Sequence, residues 1–272
     1  MVRIKPSPQT VVQRAWKQAK QAGAYHFATR ITQKTHPAPR VANVGSSSRN
    51  ETLYLEGDAE LATQTLLLRM WQDEGRITDA GSGVEVRVVR EKVQGRAMGG
   101  EWQTLNEDFS AVAPGNDPAS FLVAARNVEE SDESGRSQSS AFITYPVSYK
   151  FTLHTPTLAD YLRQQLEKQL MEAGELPLGL HLDTPEAIRN AAGDGEIWID
   201  EQGLPRRLKI HVEYPPQANG EEIEVEILTD FSGFSQNQLT EAVRSPFLFA
   251  GHLLDKLSQP QSACVLSLVW LA

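Results

Sequence analysis

A strict alternation of apolar and polar residues constrains the fold more than any other feature of this sequence. In 222–228 aliphatic residues alternate with glutamates, and in 208–214 they alternate with lysine, histidine and glutamate. Successive side chains of a strand point to opposite faces, so each segment predicts a strand with one apolar and one charged face. Together with 196–200, these segments predict three consecutive antiparallel strands whose charged residues pair across one face.

Short β-type runs separated by turn residues also fill the first half of the chain. They are 25–34, 51–59, 63–72, 84–90 and, as a hairpin arm, 95–105. Such a succession indicates an antiparallel meander and not alternating strand–helix units. A further strand is expected over 142–154, after an acidic and serine-rich segment that is typical of a loop.

Three amphipathic helices are predicted beside these strands. Ser7-Pro8 favours a helix over 8–22, because serine accepts free N–H groups and proline fits the first turn. Asp117-Pro118 is expected to begin a second helix that continues to Val128, and leucines at every fourth position predict a third over 157–171. The sum is an α+β chain of about eight to ten strands and three main helices.

Composition excludes several classes of function. The 272 residues carry a net charge of −9 and contain a single cysteine, Cys264. The acidic balance disfavours non-specific nucleic-acid binding, which needs cations to displace counterions. One thiol cannot form an internal disulfide or a cysteine-based zinc site. We therefore expect no nucleic-acid partner, no metal and no cofactor.

The sequence also lacks the common catalytic signatures. It contains neither the phosphate-binding G-x-x-x-x-G-K and G-x-G-x-x-G patterns nor the H-E-x-x-H and G-x-S-x-G motifs. Its six histidines do not cluster, and His211 with Glu213 fits a solvent-facing charged stripe. We expect that the protein is not an enzyme, and we assign no catalytic residue. A hydrolase whose residues converge only in three dimensions is the alternative within the enzyme class.

The two ends of the chain give weaker signals. Residues 1–6 lack the apolar core of a secretory signal. Residues 263–272 are apolar except for Ser267, but a membrane span needs about 20 such residues. A terminal strand or docked tail, the stub of a membrane helix and a disordered tail are all compatible with this run. We place one domain over 1–234 and a C-terminal extension over 235–272.

Two stretches of the sequence resemble a known family. One is a helix that runs into a strand, PSPQTVVQRAWKQAKQAGAYHFATRIT. The other is the hairpin GEIWIDEQGLPRRLKIHVEY with the strand EEIEVEILTDFSGF after it, and its segment from Trp198 to Leu208 is the more specific. Over 7–234 the chain resembles the LolA/LppX superfamily of bacterial lipoprotein carriers and lipid-binding lipoproteins, most of all the LppX/LprG kind.

The resemblance implies a fold and a location. The fold is a strongly curved antiparallel sheet, an unclosed half-barrel, with helices covering its concave face and a cavity for acyl chains between them. The location is extracytoplasmic, with the natural full-length form associated with the membrane. The family carries no catalytic motif.

The resulting hypothesis is a non-enzymatic lipoprotein-type domain that binds or carries a lipid or another hydrophobic small molecule. The alternative is a protein-interaction or sensor module with the same fold and a filled core, whose partner would lie at the cell envelope. Periodicity and the resemblance together predict the lining of the cavity, namely Trp16, Val86, Leu162, Leu166, Ile197, Ile199, Ile210 and Val225.

Overall fold

The computed structural model of the chain describes residues 6–63, 65–72, 83–89, 92–97, 99–104, 117–131, 147–172, 174, 176–177, 179–184 and 186–235. Its elements in chain order are α1 (Pro8–Ala22), β1 (Ala24–His36), a 3-10 helix (Val41–Asn43), β2 (Arg49–Glu60), β3 (Thr65–Gln72), β4 (Val84–Val89), β5 (Lys92–Ala97), β6 (Gln103–Thr104), a second 3-10 helix (Ser120–Ala124), β7 (Ala125–Glu130), β8 (Val147–Leu153), α2 (Thr155–Glu172), α3 (Glu186–Arg189), β9 (Ala192–Ile199), β10 (Pro205–Tyr214) and β11 (Glu222–Ser235).

In the described part of the chain, eleven antiparallel strands form one sheet in the order β6-β5-β4-β3-β2-β1-β11-β10-β9-β8-β7. The first and last strands of this order do not pair, so the sheet is open. The predicted α+β class and the antiparallel meander are confirmed. Strand β11 pairs with β1 on one side and with β10 on the other. It therefore joins the strands from the first half of the chain to those from the second half.

The alternating segments form the three neighbouring strands that the sequence predicts. Ile210 lies opposite Ile227, and both belong to the apolar face of the sheet. On the other face, which we call the charged face, two nitrogens of Arg207 donate to Asp230 at 2.6 and 3.0 Å. Lys209 reaches Glu226 diagonally, with 2.7 Å between Nζ and Oε2. Exposed pairs of this kind contribute only about 0–1 kcal/mol each, so they set the register more than the stability.

Helix α1 begins and ends where the sequence predicts. The hydroxyl of Ser7 accepts the backbone N–H of Thr10 at 3.3 Å, and Gly23 ends the helix with a φ of 83°. Its buried residues are Val12, Ala15 and Ala19. The helix packs against the second 3-10 helix and against β1, β7, β9, β10 and β11.

The predicted helix from Asp117 to Val128 is wrong. Only Ser120–Ala124 is helical, as a 3-10 helix, and the chain enters β7 at Ala125. The reason is tertiary, because Ala125 and Arg126 pair with β8 at the edge of the sheet. That pairing satisfies backbone groups that a longer helix would satisfy internally.

Helix α2 starts two residues before its predicted position. The ring nitrogen Nδ1 of His154 accepts the N–H of Thr157 at 3.3 Å, so His154 caps the first turn. A short helix, α3, follows Thr184. The hairpin arm over 95–105 is found as the end of β5 with β6. Residues 132–146 and 236–272, with the apolar run at the end, lie outside the described residues.

Gly57 marks a close approach between β2 and β3. A Cβ built there would lie 2.1 Å from the carbonyl oxygen of Leu67 and 2.8 Å from the Cα of Leu68. Both atoms belong to the backbone, so the strands would have to separate. We expect Gly57→Ala to lower the free energy of unfolding by about 1–3 kcal/mol in urea denaturation. Asn50→Ala, at the exposed start of the same strand, should stay within about 0.5 kcal/mol of the wild type. Equal stability of the two variants would contradict this close packing.

Candidate functional site

Five of the eight residues that the sequence assigns to a cavity lie on strands of the sheet, whereas Trp16 lies on α1 and Leu162 and Leu166 lie on α2. Four of the eight are buried, namely Val86, Ile197, Ile199 and Ile210. The other four are half-buried, namely Trp16, Leu162, Leu166 and Val225. Seven of them belong to one hydrophobic cluster or pack against it, and Leu166 is the exception. The structure therefore brings most of the predicted lining together, at two different depths.

The middle of β11 is less covered than the parts of the strand on either side. On the apolar face, Val225 and Ile227 are half-buried, whereas Ile223 before them and Thr229 after them are buried. Both half-buried side chains pack against the core cluster. These two side chains are therefore less covered than their neighbours on the same face of the strand.

Helix α2 shows a similar gradient along its row of leucines. Leu158 in the first turns is only 3% exposed and belongs to the core cluster. Leu162 and Leu166, one and two turns further on, are half-buried. The helix packs against α3 and the second 3-10 helix. The later part of α2 thus presents apolar side chains that the described residues only partly cover.

A short row of polar residues crosses the apolar face beside Val225. Thr29 on β1 and Thr229 on β11 share a hydrogen bond of 2.9 Å between their hydroxyls. Gln33, which lies opposite Val225, donates to the hydroxyl of Thr35 at 3.2 Å. Buried polar groups need such partners, and these residues pair with one another. The sequence contains a signal for these polar residues, because the alternation along β1 points Thr29, Gln33 and Thr35 to the apolar face.

A buried carboxylate ties α1 to the sheet. Asp117 is 3% exposed and accepts three hydrogen bonds. Tyr25 donates its hydroxyl at 2.5 Å, the Trp16 indole N–H donates at 3.0 Å, and the backbone N–H of Ala119 donates at 3.0 Å. Trp16 comes from α1 and Tyr25 from β1, so the carboxylate joins three parts of the chain. Sequence reasoning placed Asp117 at the start of a helix and missed this role.

The phenols near Asp117 remain neutral. Burial, and then the Asp117 carboxylate, raise the pKa of Tyr25 well above its ordinary value. The same two causes raise the pKa of Tyr161 to about 12. At neutral pH both phenols therefore keep their protons, and Tyr25 acts as a hydrogen-bond donor to the carboxylate. The hydrogen-bonded group around Asp117 therefore anchors α1 to the sheet in apolar surroundings.

Two properties of the described residues bear on the chemistry of the site. Within the described residues, no group of three or more histidine, cysteine, aspartate or glutamate side chains is placed to hold a metal ion. No helix among those residues is long and apolar enough to cross a membrane. The apolar face is thus distinguished by hydrophobic surface and by the Asp117 anchor.

Comparison with known proteins adds no family assignment. No family model matches the chain, and no curated protein matches its sequence. The fold and the site define an open antiparallel sheet with a partly covered apolar face. The resemblance to the LolA/LppX superfamily stays a prediction.

Proposed function

We propose that this protein is a non-enzymatic binder or carrier of a hydrophobic ligand, whose acyl chains lie between the sheet and the helices. The observation that carries the proposal is the incomplete burial of Val225 and Ile227 in the middle of the apolar face. In this proposal the open sheet curves into an unclosed half-barrel, with α1 and α2 over its concave side. An apolar chain would complete the packing that these side chains lack.

The chemistry of the proposed lining suits an acyl chain. Each methylene removed from water contributes about 0.8 kcal/mol, without any need for directed contacts. Leu162, Leu166 and Val225 offer only aliphatic surface. The Trp16 indole N–H is already bound to Asp117, and the Lys20 ammonium lies 3.9 Å from the centre of its ring. Trp16 can therefore contribute the remaining ring surface.

The proposed location and partners follow from the resemblance. We place the domain outside the cytoplasm, associated with the membrane in its natural full-length form. There it would exchange its ligand with a lipid bilayer or with a protein of the cell envelope. This placement depends on the LolA/LppX resemblance of the hairpin around Trp198 and of the first helix and strand.

The second candidate is a protein-interaction or sensor module with a filled core. Complete burial of Val86, Ile197 and Ile210 favours it, since those positions leave no space beside them. The edge-on packing of Tyr25 against Phe231, with 5.5 Å between ring centroids, adds a well-packed region at one end of the face. A filled core would leave the loops as the binding surface.

Native mass spectrometry of the purified full-length chain tests the first proposal. We expect a fraction of the protein to carry an added mass, and solvent extraction to release a lipid of that mass. Protein stripped of this lipid should bind a fluorescent fatty acid with one saturable site. Purified protein with no added mass, and with no saturable binding of the fatty acid, would reject the carrier and favour the filled-core module.

A further inference from the structure

A pocket lies on the charged face of the sheet, opposite the face of the proposed acyl-binding site. It has a volume of about 580 Å³ and spans strands β1 to β5. Its outward-pointing lining residues are His26, Glu56, Asp58, Glu60, Thr65, Leu67, Arg69, Glu85, Arg87, Val89, Arg96 and Trp102. One side of this set is acidic, the other is basic and aromatic, and Leu67 lies between them.

In one row of residues across these strands, acidic and basic side chains alternate. Strand register places Glu56, Arg69, Glu85 and Arg96 side by side, so that acids and bases alternate. Glu85 is nearly buried and accepts from Arg69 at 3.2 Å and from Arg96 at 2.6 Å. This row forms one wall of the pocket, and within it Glu85 pairs with both arginines.

The next row contains an acid and a base that do not pair with each other. Asp58 lies opposite Leu67, and Leu67 lies opposite Arg87. Two strand spacings, about 9–10 Å, therefore separate the backbones of Asp58 and Arg87. Among the described residues Arg87 has no carboxylate partner, and its Nε donates to the Gln94 side chain at 2.8 Å. Its terminal guanidinium nitrogens are available to an anion.

Trp102 holds the basic side of the pocket in place. The guanidinium carbons of Arg87 and Arg96 lie 4.3 and 4.4 Å from the centre of its ring. Such contacts fix the plane of a guanidinium while its N–H groups remain free to donate. The indole also adds apolar surface beside Leu67.

The acidic side has more negative charge than its neighbours balance. Glu56 and Asp58 share a single imidazole, with His26 Nε2 and Nδ1 at 3.4 and 3.0 Å from their oxygens. Glu60 accepts a hydrogen bond from the hydroxyl of Thr63 at 2.6 Å. With Glu60 two positions further along β2 than Asp58, this side of the pocket forms a site that a ligand ammonium group would complete.

We propose that this pocket binds a small zwitterionic molecule with an amine at one end, an apolar middle and a carboxylate at the other. The amine pairs with Asp58 and Glu60, the carboxylate with Arg87, and the middle lies over Leu67 beside Trp102. Such a ligand bridges Asp58 and Arg87, which the strand register places on either side of Leu67. The site is on the opposite face from the proposed acyl cavity and does not depend on it.

The test is a titration of the isotope-labelled full-length chain with 6-aminohexanoate, followed by the indole N–H signals in NMR spectra. The chain has five tryptophans, and a Trp102→Phe variant assigns the relevant signal. We expect the Trp102 signal to shift saturably while the Trp16 signal stays in place. Hexanoate and hexylamine, which each lack one charge, should bind this site about tenfold more weakly or worse.

Variants on the charged face provide the controls. Arg87→Gln should weaken binding of 6-aminohexanoate about tenfold or more, and Asp58→Asn should weaken it similarly. Lys209→Gln, on the same face but outside the pocket, should leave binding unchanged. The proposal is overturned if the Trp102 signal does not shift saturably, if hexanoate binds there equally well, or if Arg87→Gln and Asp58→Asn both retain full affinity. Shifts of Trp16 by acyl ligands would report on the other face alone.

Discussion

Replacing Asp117 by alanine should lower the free energy of unfolding by about 2–5 kcal/mol. The change leaves the Tyr25 hydroxyl, the Trp16 indole N–H and the Ala119 N–H without their acceptor, and buried unpaired donors cost about 1–3 kcal/mol each. Water entering the space would recover part of this loss. Denaturation in urea, followed by circular dichroism, measures the effect.

Two variants control for the Asp117 prediction. Asp117→Asn keeps one acceptor oxygen and the size of the side chain, so it should lose less stability than Asp117→Ala. Asp230→Ala removes an exposed carboxylate that pairs with Arg207, and we expect a loss of at most about 1 kcal/mol. If Asp117→Ala were no more destabilising than Asp230→Ala, the carboxylate would not anchor α1 to the sheet.

Val225→Trp should abolish binding of a fluorescent fatty acid if the apolar face is hollow. The added ring would occupy the volume that the acyl chain needs, and it would bring no charge into the core. Overpacking a filled core costs about 1–3 kcal/mol, so in a hollow site the cost should fall below this range. Fluorescence titration and urea denaturation of the same preparation give both values.

Val212 offers a matched control for Val225. The two valines lie opposite each other on β10 and β11, but Val212 is buried. Val212→Trp should therefore destabilise the protein more than Val225→Trp. A wild-type chain that binds no fatty acid, together with a badly destabilised Val225→Trp variant, would reject the carrier and leave the filled-core module.

The helix and strand assignments that the sequence predicted correctly depend on local physics. The cap at Ser7 and the stop at Gly23 define α1, because both act on backbone groups within one turn. The alternation in β10 and β11 defines which residues share a face, because side chains of a strand alternate whatever lies beside it. These signals need no information from distant parts of the chain.

The predicted helix after Asp117 failed because a distant strand competes with it. Phe121, Leu122 and Ala125 have helical spacing, and the first two lie in a short 3-10 helix. Beyond Ala124 the backbone pairs with β8, more than twenty residues later in the sequence. Asp117 itself became an acceptor for Trp16 and Tyr25, about a hundred residues earlier. Neither outcome has a local signature.

The candidate site also combines features that the local sequence predicts with features that depend on tertiary contacts. By itself the sequence determined that Ile210 and Val225 lie on one face of the sheet, since successive side chains of a strand alternate between its two faces. Only the tertiary structure decided that Ile210 is fully buried while Val225 is not, because burial depends on what other elements pack over a side chain. The charged-face pocket is likewise tertiary, since strand register places Leu67 between Asp58 and Arg87. Local sequence patterns determine which face of the sheet a side chain points to. Its burial and its neighbours depend on contacts between segments that are far apart in the chain.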